Sequence, residues 1–269
     1  MIPLFSRGRR KPIDDELWKW ALSEHPILHG LTADDADVLR SLSEELLSKK
    51  QFVPLGGVEL GVETTISIAV QAGLPILHLG ARWYRDWGTL YLVPEEYEFE
   101  DTEVDEAGVV HEISDIASGQ TMLLGSVVLS VVDVEASGWC DGYNVVIHEM
   151  AHILDRQNGR IDGAPPLHRE MKQAIWAGVF TAAFDDFQAK VTGSSRRSRS
   201  ASLGQKGRVR SRIDPYAAEA PEEFFAVACE LFFEQPWVIR REYPAVYEQL
   251  SQFYRQDPFS RLSAPPRRS

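Results

Sequence analysis

The chain has 269 residues and a formal net charge of −12, from 28 Lys or Arg against 40 Asp or Glu, and 44% of its residues are apolar. This composition supports a substantial hydrophobic core and excludes a wholly disordered protein, while the length suits one large domain or two small ones. Because it has no run of about 18 apolar residues, no secretory signal and only two cysteines, we expect a cytoplasmic protein with no membrane-spanning helix and no disulfide framework.

The N-terminal third is predicted to contain helices followed by short strands. Residues 13–50 are predicted to form two helices. Thr32 suits the N-cap of the second, because acidic residues occupy the next turn and apolar residues follow at helical spacing. Residues 63–72 are predicted to form a third, short helix. Residues 76–79 and 89–93 are rich in strand formers and are predicted to be two strands.

The middle of the chain is predicted to contain an irregular acidic segment, then a strand, then a helix. Residues 95–120 are acidic and irregular, which predicts a surface excursion. Residues 126–134 form the clearest strand in the sequence. A connector then leads into a helix that is predicted to begin near Asp141, to continue through Asp155 and to stop before Gly159.

The most informative motif lies inside this helix, where His148, Glu149 and His152 form an HExxH pattern. Residues four positions apart lie on one face of a helix, so both imidazoles can bind one ion, and neutral imidazole is a good zinc ligand. Glu149 leans toward the open coordination position, where it can act as a general base on water. The uncharged flanks indicate a helix buried on most faces. The alternative is a core helix whose histidines bond to backbone or carboxylate groups.

A catalytic zinc needs a third protein ligand, and no third histidine follows His152 at the short spacing of a metzincin. The other histidines lack any paired context: His25, His29, His78, His111 and His168. A carboxylate from a later helix is therefore the alternative, and the segment from Tyr216 onward offers four: Glu219, Glu222, Glu223 and Glu230.

Two of these carboxylates are difficult to separate by pattern. Pro221 suits the first helical position, so Glu222 and Glu223 fall in the first turn, where acidic residues also simply offset the helix dipole. Glu223 shares a helix face with Glu230 and has apolar neighbours, whereas Glu222 falls about 100° away. The residues alone favour Glu223 only modestly over Glu222.

The remaining elements surround a basic segment. A long helix is predicted over 167–191, and two further helices over 221–234 and 236–254. Residues 193–212 carry seven basic and no acidic side chains with almost no apolar content, which predicts a mobile loop. The rest of the chain is correspondingly more acidic and repels phosphate backbones, which argues against nucleic acid as the main ligand.

These segments together resemble the Mlc titration factor A family of bacterial zinc-dependent peptidases, which are gluzincins with a catalytic core similar to that of anthrax lethal factor. The resemblance covers most of the chain. It rests on residues 65–75 (TISIAVQAGLP), 83–87 (WYRDW), 108–111 (GVVH), 127–134, 148–155 (HEMAHILD), 159, 162–163 and 216–233. The metal motif alone is shared by many zincins, but this combination is specific.

The resemblance implies an α+β fold with a zincin-like metallopeptidase core, mainly helical, with a small mixed sheet and an N-terminal helical lobe. We expect a flexible N-terminus over 1–12, a single peptidase domain over 13–258 and a flexible tail over 259–269. Within the domain, residues 13–80 would form the helical lobe and 81–258 the catalytic core.

The resemblance also implies the site. His148 and His152 would be ligands of one Zn²⁺, with Glu149 as the base. The family's third ligand lies seven residues after a tyrosine, a spacing matched by Tyr216 and Glu223. Tyr216 is itself implied to act at the site, and we expect it to donate a hydrogen bond to the oxyanion; the alternative is an ordinary half-buried tyrosine.

Three further expectations stay open at this point. Asp155 lies three residues past His152 and either orients an imidazole or caps the helix. By analogy with zincins, residues 127–134 would supply main-chain partners for an extended peptide. The basic 193–212 segment is not recognised as a family feature, and it is either a solvated loop or a cover that gates the cleft and favours acidic peptides.

The implied function is that of a zinc metallopeptidase with aminopeptidase-like activity, linked to regulation of sugar phosphotransferase uptake. The alternative is a non-catalytic binding protein that sequesters a Mlc-type transcriptional repressor, and the two roles can coexist. Partners would be a peptide or protein substrate and such a repressor, without a membrane. A third hypothesis, nucleic-acid binding by 193–212, is disfavoured by the charge of the whole chain.

Overall fold

The computed structural model describes residues 12–94, 125–200 and 213–262, with the backbone alone described for 194–200. The α-helices in these ranges are α1 (Asp15–Glu24), α2 (Ala33–Lys49), α3 (Val62–Gly73), α4 (Val131–Ala136), α5 (Val145–Asp155), α6 (Gln173–Ser200), α7 (Pro221–Glu234), α8 (Pro236–Glu242), α9 (Pro244–Tyr254) and α10 (Pro258–Arg261). The strands are β1 (Gln51–Pro54), β2 (Thr89–Val93) and β3 (Ser126–Ser130).

The three strands form one sheet in the order β1-β2-β3, and both pairings are parallel. Gln51 is level with Thr89, which is level with Ser126, so the strands start together. The predicted α+β class, mainly helical with a small sheet, is confirmed. The expectation of a mixed sheet is wrong for the described strands, and β1 shows that the range 13–80 is not purely helical but contributes a strand to this sheet.

The N-terminal helices follow the sequence prediction. The Thr32 hydroxyl accepts a hydrogen bond from the Asp35 amide and caps α2, which packs against α3. The strand predicted over 76–79 is wrong, because this segment makes successive turns in which the Leu79 and Gly80 amides donate to the Ile76 carbonyl. Ile76 is fully buried. A short apolar run of this kind fits a buried turn as well as a strand.

The segment before α5 differs from its prediction at both boundaries. The strand expected over 126–134 ends at Ser130, whose hydroxyl accepts from the Asp133 amide and begins α4 instead. The helix expected from Asp141 begins at Val145, because Gly142 takes a φ of +104° and Asn144 provides the N-cap. The predicted end is confirmed, with a short 3₁₀ turn and then Gly159 in the left-handed region.

The long helix α6 begins at Gln173 and reaches Ser200, rather than covering 167–191. The basic segment predicted as a loop over 193–212 is therefore wrong for its first part, since 193–200 continue the helix. The backbone of this part is helical, and Arg is a good helix former while Ser is an acceptable one. Residues 201–212 lie outside the described ranges, as does the acidic segment 95–120.

The C-terminal helices are largely as predicted. Helix α7 has its predicted bounds, but the range 236–254 is split at Tyr243, because Pro244 starts a new helix at its first position. Part of the expected tail over 259–269 is folded in α10. The Arg261 guanidinium donates to the carbonyls of Ile27 and His29, at 2.6 and 2.8 Å, and ties this helix to the N-terminal region.

One connected hydrophobic core extends from Ile13 to Tyr254. Many of its largest buried side chains are aromatic and come from α6, α7 and α9: Trp176, Phe187, Phe224, Phe225, Phe232, Phe233, Phe253 and Tyr254. Helix α5 packs directly against α7 within this core, which brings two distant parts of the sequence together. Among the helices of the described ranges, none has the length and apolarity needed to cross a membrane.

Candidate metal centre

Helix α5 holds the two motif histidines side by side. The Asn144 side chain accepts from the Ile147 amide at 2.9 Å and fixes the helix start. One turn apart, the rings of His148 and His152 have centroids 4.9 Å from each other, and their Nε2 atoms are 3.2 Å apart. Almost every other residue of α5 is buried, so the helix is anchored on all sides except the one that carries these nitrogens.

Helix α7 supplies a carboxylate to the same point. Pro221 occupies its first position, as predicted, and Glu223 follows in the first turn. The Glu223 Oε2 atom lies 3.1 Å from His148 Nε2 and 3.5 Å from His152 Nε2. Within the described ranges these three residues form a group that can hold a metal ion. Glu222 is not part of that group. The geometry therefore favours Glu223 over Glu222 more clearly than the sequence pattern does.

The three donor atoms fit a zinc ion in both spacing and chemistry. Tetrahedral zinc with nitrogen and oxygen ligands at about 2.0–2.1 Å places neighbouring ligand atoms roughly 3.3–3.4 Å apart. The observed separations between the Nε2 and Oε2 atoms are 3.1, 3.2 and 3.5 Å. Two imidazoles and one carboxylate are also a common zinc donor set. The residues present therefore match the group that the sequence implies.

The electrostatics of this cluster favour a cation. Burial lowers the pKa of His148, but hydrogen bonds to the carboxylates of Glu223 and Glu230 outweigh it and raise the pKa. Burial likewise raises the pKa of Glu223, and its contacts with His148 and His152 outweigh that effect and lower it. Positive charge among these groups is thus stabilised from several sides.

Glu149 lies next to the cluster without joining it. Its side chain is fully buried, and its negative charge favours the protonated forms of His148, Arg156 and Tyr216, although burial dominates at Arg156 and lowers that pKa. The carboxylate is therefore placed among an imidazole, a guanidinium and a phenol. Within the described residues, Glu149 is not a member of the metal group.

Tyr216 lies at the mouth of the site. It belongs to a short 3₁₀ turn, Pro215–Ala218, whose start is fixed by the Asp214 side chain accepting from the Tyr216 amide at 2.9 Å. The Tyr216 ring centroid is 6.1 Å from that of His148, and 44% of the residue is exposed. Partial burial, followed by the neighbouring charge of Glu223, raises the pKa of its phenol to about 12.

Asp155 makes different contacts from those predicted. Its Oδ2 atom accepts from the amides of Asp162 and Gly163, at 2.9 and 2.7 Å. In the part of the chain that the structure describes, its hydrogen bonds therefore go to the loop after α5 and not to an imidazole. Gly163 is held further by Trp176, whose Nε1 donates to the Gly163 carbonyl at 2.9 Å. This loop lies against the start of α7, since a Cβ on Gly163 would be 2.8 Å from the Pro221 carbonyl oxygen.

Sequence reasoning missed the role of a second carboxylate on α7. Glu230 Oε1 lies 2.8 Å from His148 Nδ1, on the opposite side of the ring from Glu223. Its heptad spacing from Glu223 is the available signal, but that spacing alone does not distinguish a metal ligand from a partner of His148 Nδ1. Of the other histidines, His168 bonds to the Phe253 carbonyl, His25, His29 and His78 lie outside the metal group, and His111 is outside the described residues.

Comparison with known proteins places this geometry in a family context. The profile of the family described as glucose-regulated metallo-peptidase M90 matches residues 5–255. Mlc titration factor A of Escherichia fergusonii is 34% identical over 253 residues, which cover 94% of this chain and 91% of the relative. The protein of the same name from Escherichia coli O9:H4 is 36% identical over 248 residues, covering 91% and 88%. That from Yersinia pestis is 33% identical over 254 residues, covering 94% and 89%.

Proposed function

From the premise that the chain belongs to the glucose-regulated metallo-peptidase M90 family, we propose that it is a zinc-dependent peptidase. The observation that carries this proposal is the meeting of the donor atoms of His148, His152 and Glu223 within 3.1–3.5 Å of one another. These three residues would hold one Zn²⁺. Catalytic zinc sites use three protein ligands of this kind, which would leave one position for water or substrate.

The chain's own residues divide the work of peptide hydrolysis. When bound, zinc supplies Lewis-acid polarisation of the scissile carbonyl and makes water acidic enough to lose a proton near neutral pH. Glu149 accepts that proton and delivers it to the departing amine. Tyr216, whose phenol is protonated at neutral pH, donates a hydrogen bond to the carbonyl oxygen as it gains negative charge.

The substrate is a peptide that approaches in an extended conformation. β3 is the last strand in the described sheet order, and it leads through α4 toward α5. We infer that its main chain pairs with the substrate by strand addition, which fixes the scissile bond relative to the metal ligands. We infer that this peptidase activity is aminopeptidase-like, as the family resemblance implies.

The name of the relatives supports a second candidate function. Their name, Mlc titration factor A, describes proteins that titrate Mlc, and we propose that this chain likewise sequesters a Mlc-type repressor in the cytoplasm. Such binding would connect it to the control of sugar phosphotransferase genes. It requires no hydrolysis, so it should survive the Glu149→Gln substitution, measured as retention of a purified repressor on the immobilised variant.

Metal stoichiometry tests the proposed site with a matched pair of variants. Glu223→Gln removes the third ligand, whereas Glu222→Gln changes the adjacent carboxylate in the same helical turn. We expect one zinc per chain in the wild type and in Glu222→Gln, measured by atomic emission after dialysis, and a large loss in Glu223→Gln. Hydrolysis of aminoacyl anilides should follow the zinc content. Equal zinc in both variants would refute the assignment of Glu223.

A further inference from the structure

The His148 imidazole is held between two carboxylates of the same helix. Its Nε2 atom faces Glu223, and its Nδ1 atom lies 2.8 Å from Oε1 of Glu230, two turns further along α7. Glu230 is 5% exposed, so this second contact is made away from solvent. The other carboxylate oxygen, Oε2, accepts from the backbone amide of Asn144 at 2.6 Å.

Glu230 therefore receives one donor on each oxygen. The donor on Oε2 belongs to Asn144, the N-cap of α5, so one side chain fixes both the start of the metal-binding helix and the ring of its first histidine. Only a carboxylate can do this, because both of its oxygens accept. Glutamine offers one acceptor and one NH₂ donor, so it would set a donor against a donor at one of the two contacts.

A carboxylate on the Nδ1 side of a histidine has a defined effect on the Nε2 side. Accepting the Nδ1–H keeps the proton on that nitrogen, which leaves the Nε2 lone pair free for a ligand and fixes the plane of the ring. Burial of the contact strengthens it, since no water competes for either oxygen. In this chain the Nε2 so prepared is the one that converges with His152 and Glu223.

We propose that Glu230 is a positioning residue for the metal centre, acting through Nδ1 of His148. Helix α7 thus contributes both a ligand residue and a residue that orients a ligand. This inference rests on the proposed zinc-dependent function. Glu223 would bind the metal directly, and Glu230 would orient and polarise a histidine ligand. The pair places ligand and orienting group on one rigid helix, so that their relative position does not depend on a loop.

Glu234 provides a matched control within the same helix. It lies one turn beyond Glu230 and is fully buried. Its Oε1 atom accepts from the Asn144 side chain at 2.8 Å and from the Gly138 amide at 3.0 Å. It thus contacts the same N-cap residue as Glu230, but among the described residues none of its hydrogen bonds goes to a histidine. A glutamine at position 234 can keep both of these bonds through its carbonyl oxygen.

The test compares the metal affinity of the full-length wild type, Glu230→Gln and Glu234→Gln. Each protein is stripped of metal, and its zinc affinity is measured by competition with a chromophoric chelator. We expect Glu230→Gln to bind zinc about 10–100-fold more weakly, the usual effect of losing such a contact, and Glu234→Gln to stay within about twofold of the wild type. At saturating Co²⁺, the visible absorption spectrum should change in Glu230→Gln only, because it reports ligand orientation rather than stability.

The outcomes separate the two proposals. Equal zinc affinity in the two variants, with the same Co²⁺ spectrum, would overturn the positioning role while leaving the proposed function in place. A wild type that binds no zinc would overturn both. If Glu230→Gln does not fold, as judged by circular dichroism, Glu230→Asp replaces it, since it keeps two acceptors but is too short to reach both donors. Wild-type affinity and spectrum in folded Glu230→Asp would refute the inference.

Discussion

The buried carboxyl of Glu234 makes the stability of the fold depend on pH in a way that one substitution should remove. Complete burial is the main reason that the pKa of this group rises from 4.5 to about 7, and Asp141 adds to the effect while the Asn144 amide opposes it. Its Oε2 atom has no hydrogen-bond partner in the described part of the chain. Glu234→Gln keeps the bonds to Oε1 and removes the ionisation.

The sign and size of this pH dependence follow from the different proton binding of the folded and unfolded states. Between pH 4.5 and 7 the folded state binds more protons at this group than the unfolded state, so its contribution to the free energy of unfolding is present at low pH and is lost as pH rises through 7. With one pKa unit worth about 1.4 kcal/mol, the change between pH 5 and pH 8 is about 2–3 kcal/mol. Relative to the wild type, Glu234→Gln should gain that amount over the same interval.

Urea unfolding of the metal-free proteins at pH 5 and pH 8 measures this difference. Every other titrating group, including Asp155, whose pKa burial raises to about 6, is present in both proteins and cancels. We expect the difference in the free energy of unfolding between variant and wild type to move by about 2–3 kcal/mol toward the variant. A difference that is the same at both pH values would refute the reasoning.

Three further predictions concern the site and the elements that hold it. Both Gly163 and Gly57 have a positive φ, but only at Gly163 would a Cβ meet backbone, the Pro221 carbonyl oxygen at 2.8 Å. Gly163→Ala should therefore lower the free energy of unfolding by about 1–3 kcal/mol more than Gly57→Ala does. Denaturant unfolding of the two variants measures this difference. Tyr216→Phe should reduce kcat about 10–100-fold without changing zinc content, and an unchanged kcat would exclude the phenol from catalysis. Removing metal with a chelator should lower Tm, because bound zinc at 100 times its Kd adds about 2.7 kcal/mol to the free energy of unfolding. The Tm of Glu223→Gln should not respond to the chelator.

Much of the site could be predicted because its strongest signal is local. His148 and His152 are one turn apart on a helix, and helical geometry alone puts their rings together. Choosing between Glu222 and Glu223 required the packing of α5 on α7, which no local pattern contains. The family spacing from Tyr216 pointed to the carboxylate that the structure places beside the imidazoles.

The contacts that support the ligands were the least predictable part. Glu230 reaches His148 across 82 residues of sequence, and Asp155 bonds to a loop whose path depends on Trp176 and α7. Both roles follow from tertiary placement, and the sequence offered only residue type and spacing.

The fold errors have the same origin. Strand β1 is only four residues long and ends in proline, so its identity depends on pairing with β2, 38 residues away. The segment 76–79 has the composition of a strand but no partner strand in the described sheet, and it packs as buried turns. Local residue propensities predict secondary structure poorly for segments as short as these.

We propose that this chain hydrolyses peptide bonds with Glu149 as the base, and one paired measurement decides whether it does. Wild type and Glu149→Gln, each with its zinc content quantified, are assayed on a panel of aminoacyl anilides and internally quenched peptides. We expect equal zinc in both proteins, cleavage by the wild type and a loss of at least about 100-fold in the variant. Zinc in both with cleavage in neither, or equal cleavage by both, would contradict it.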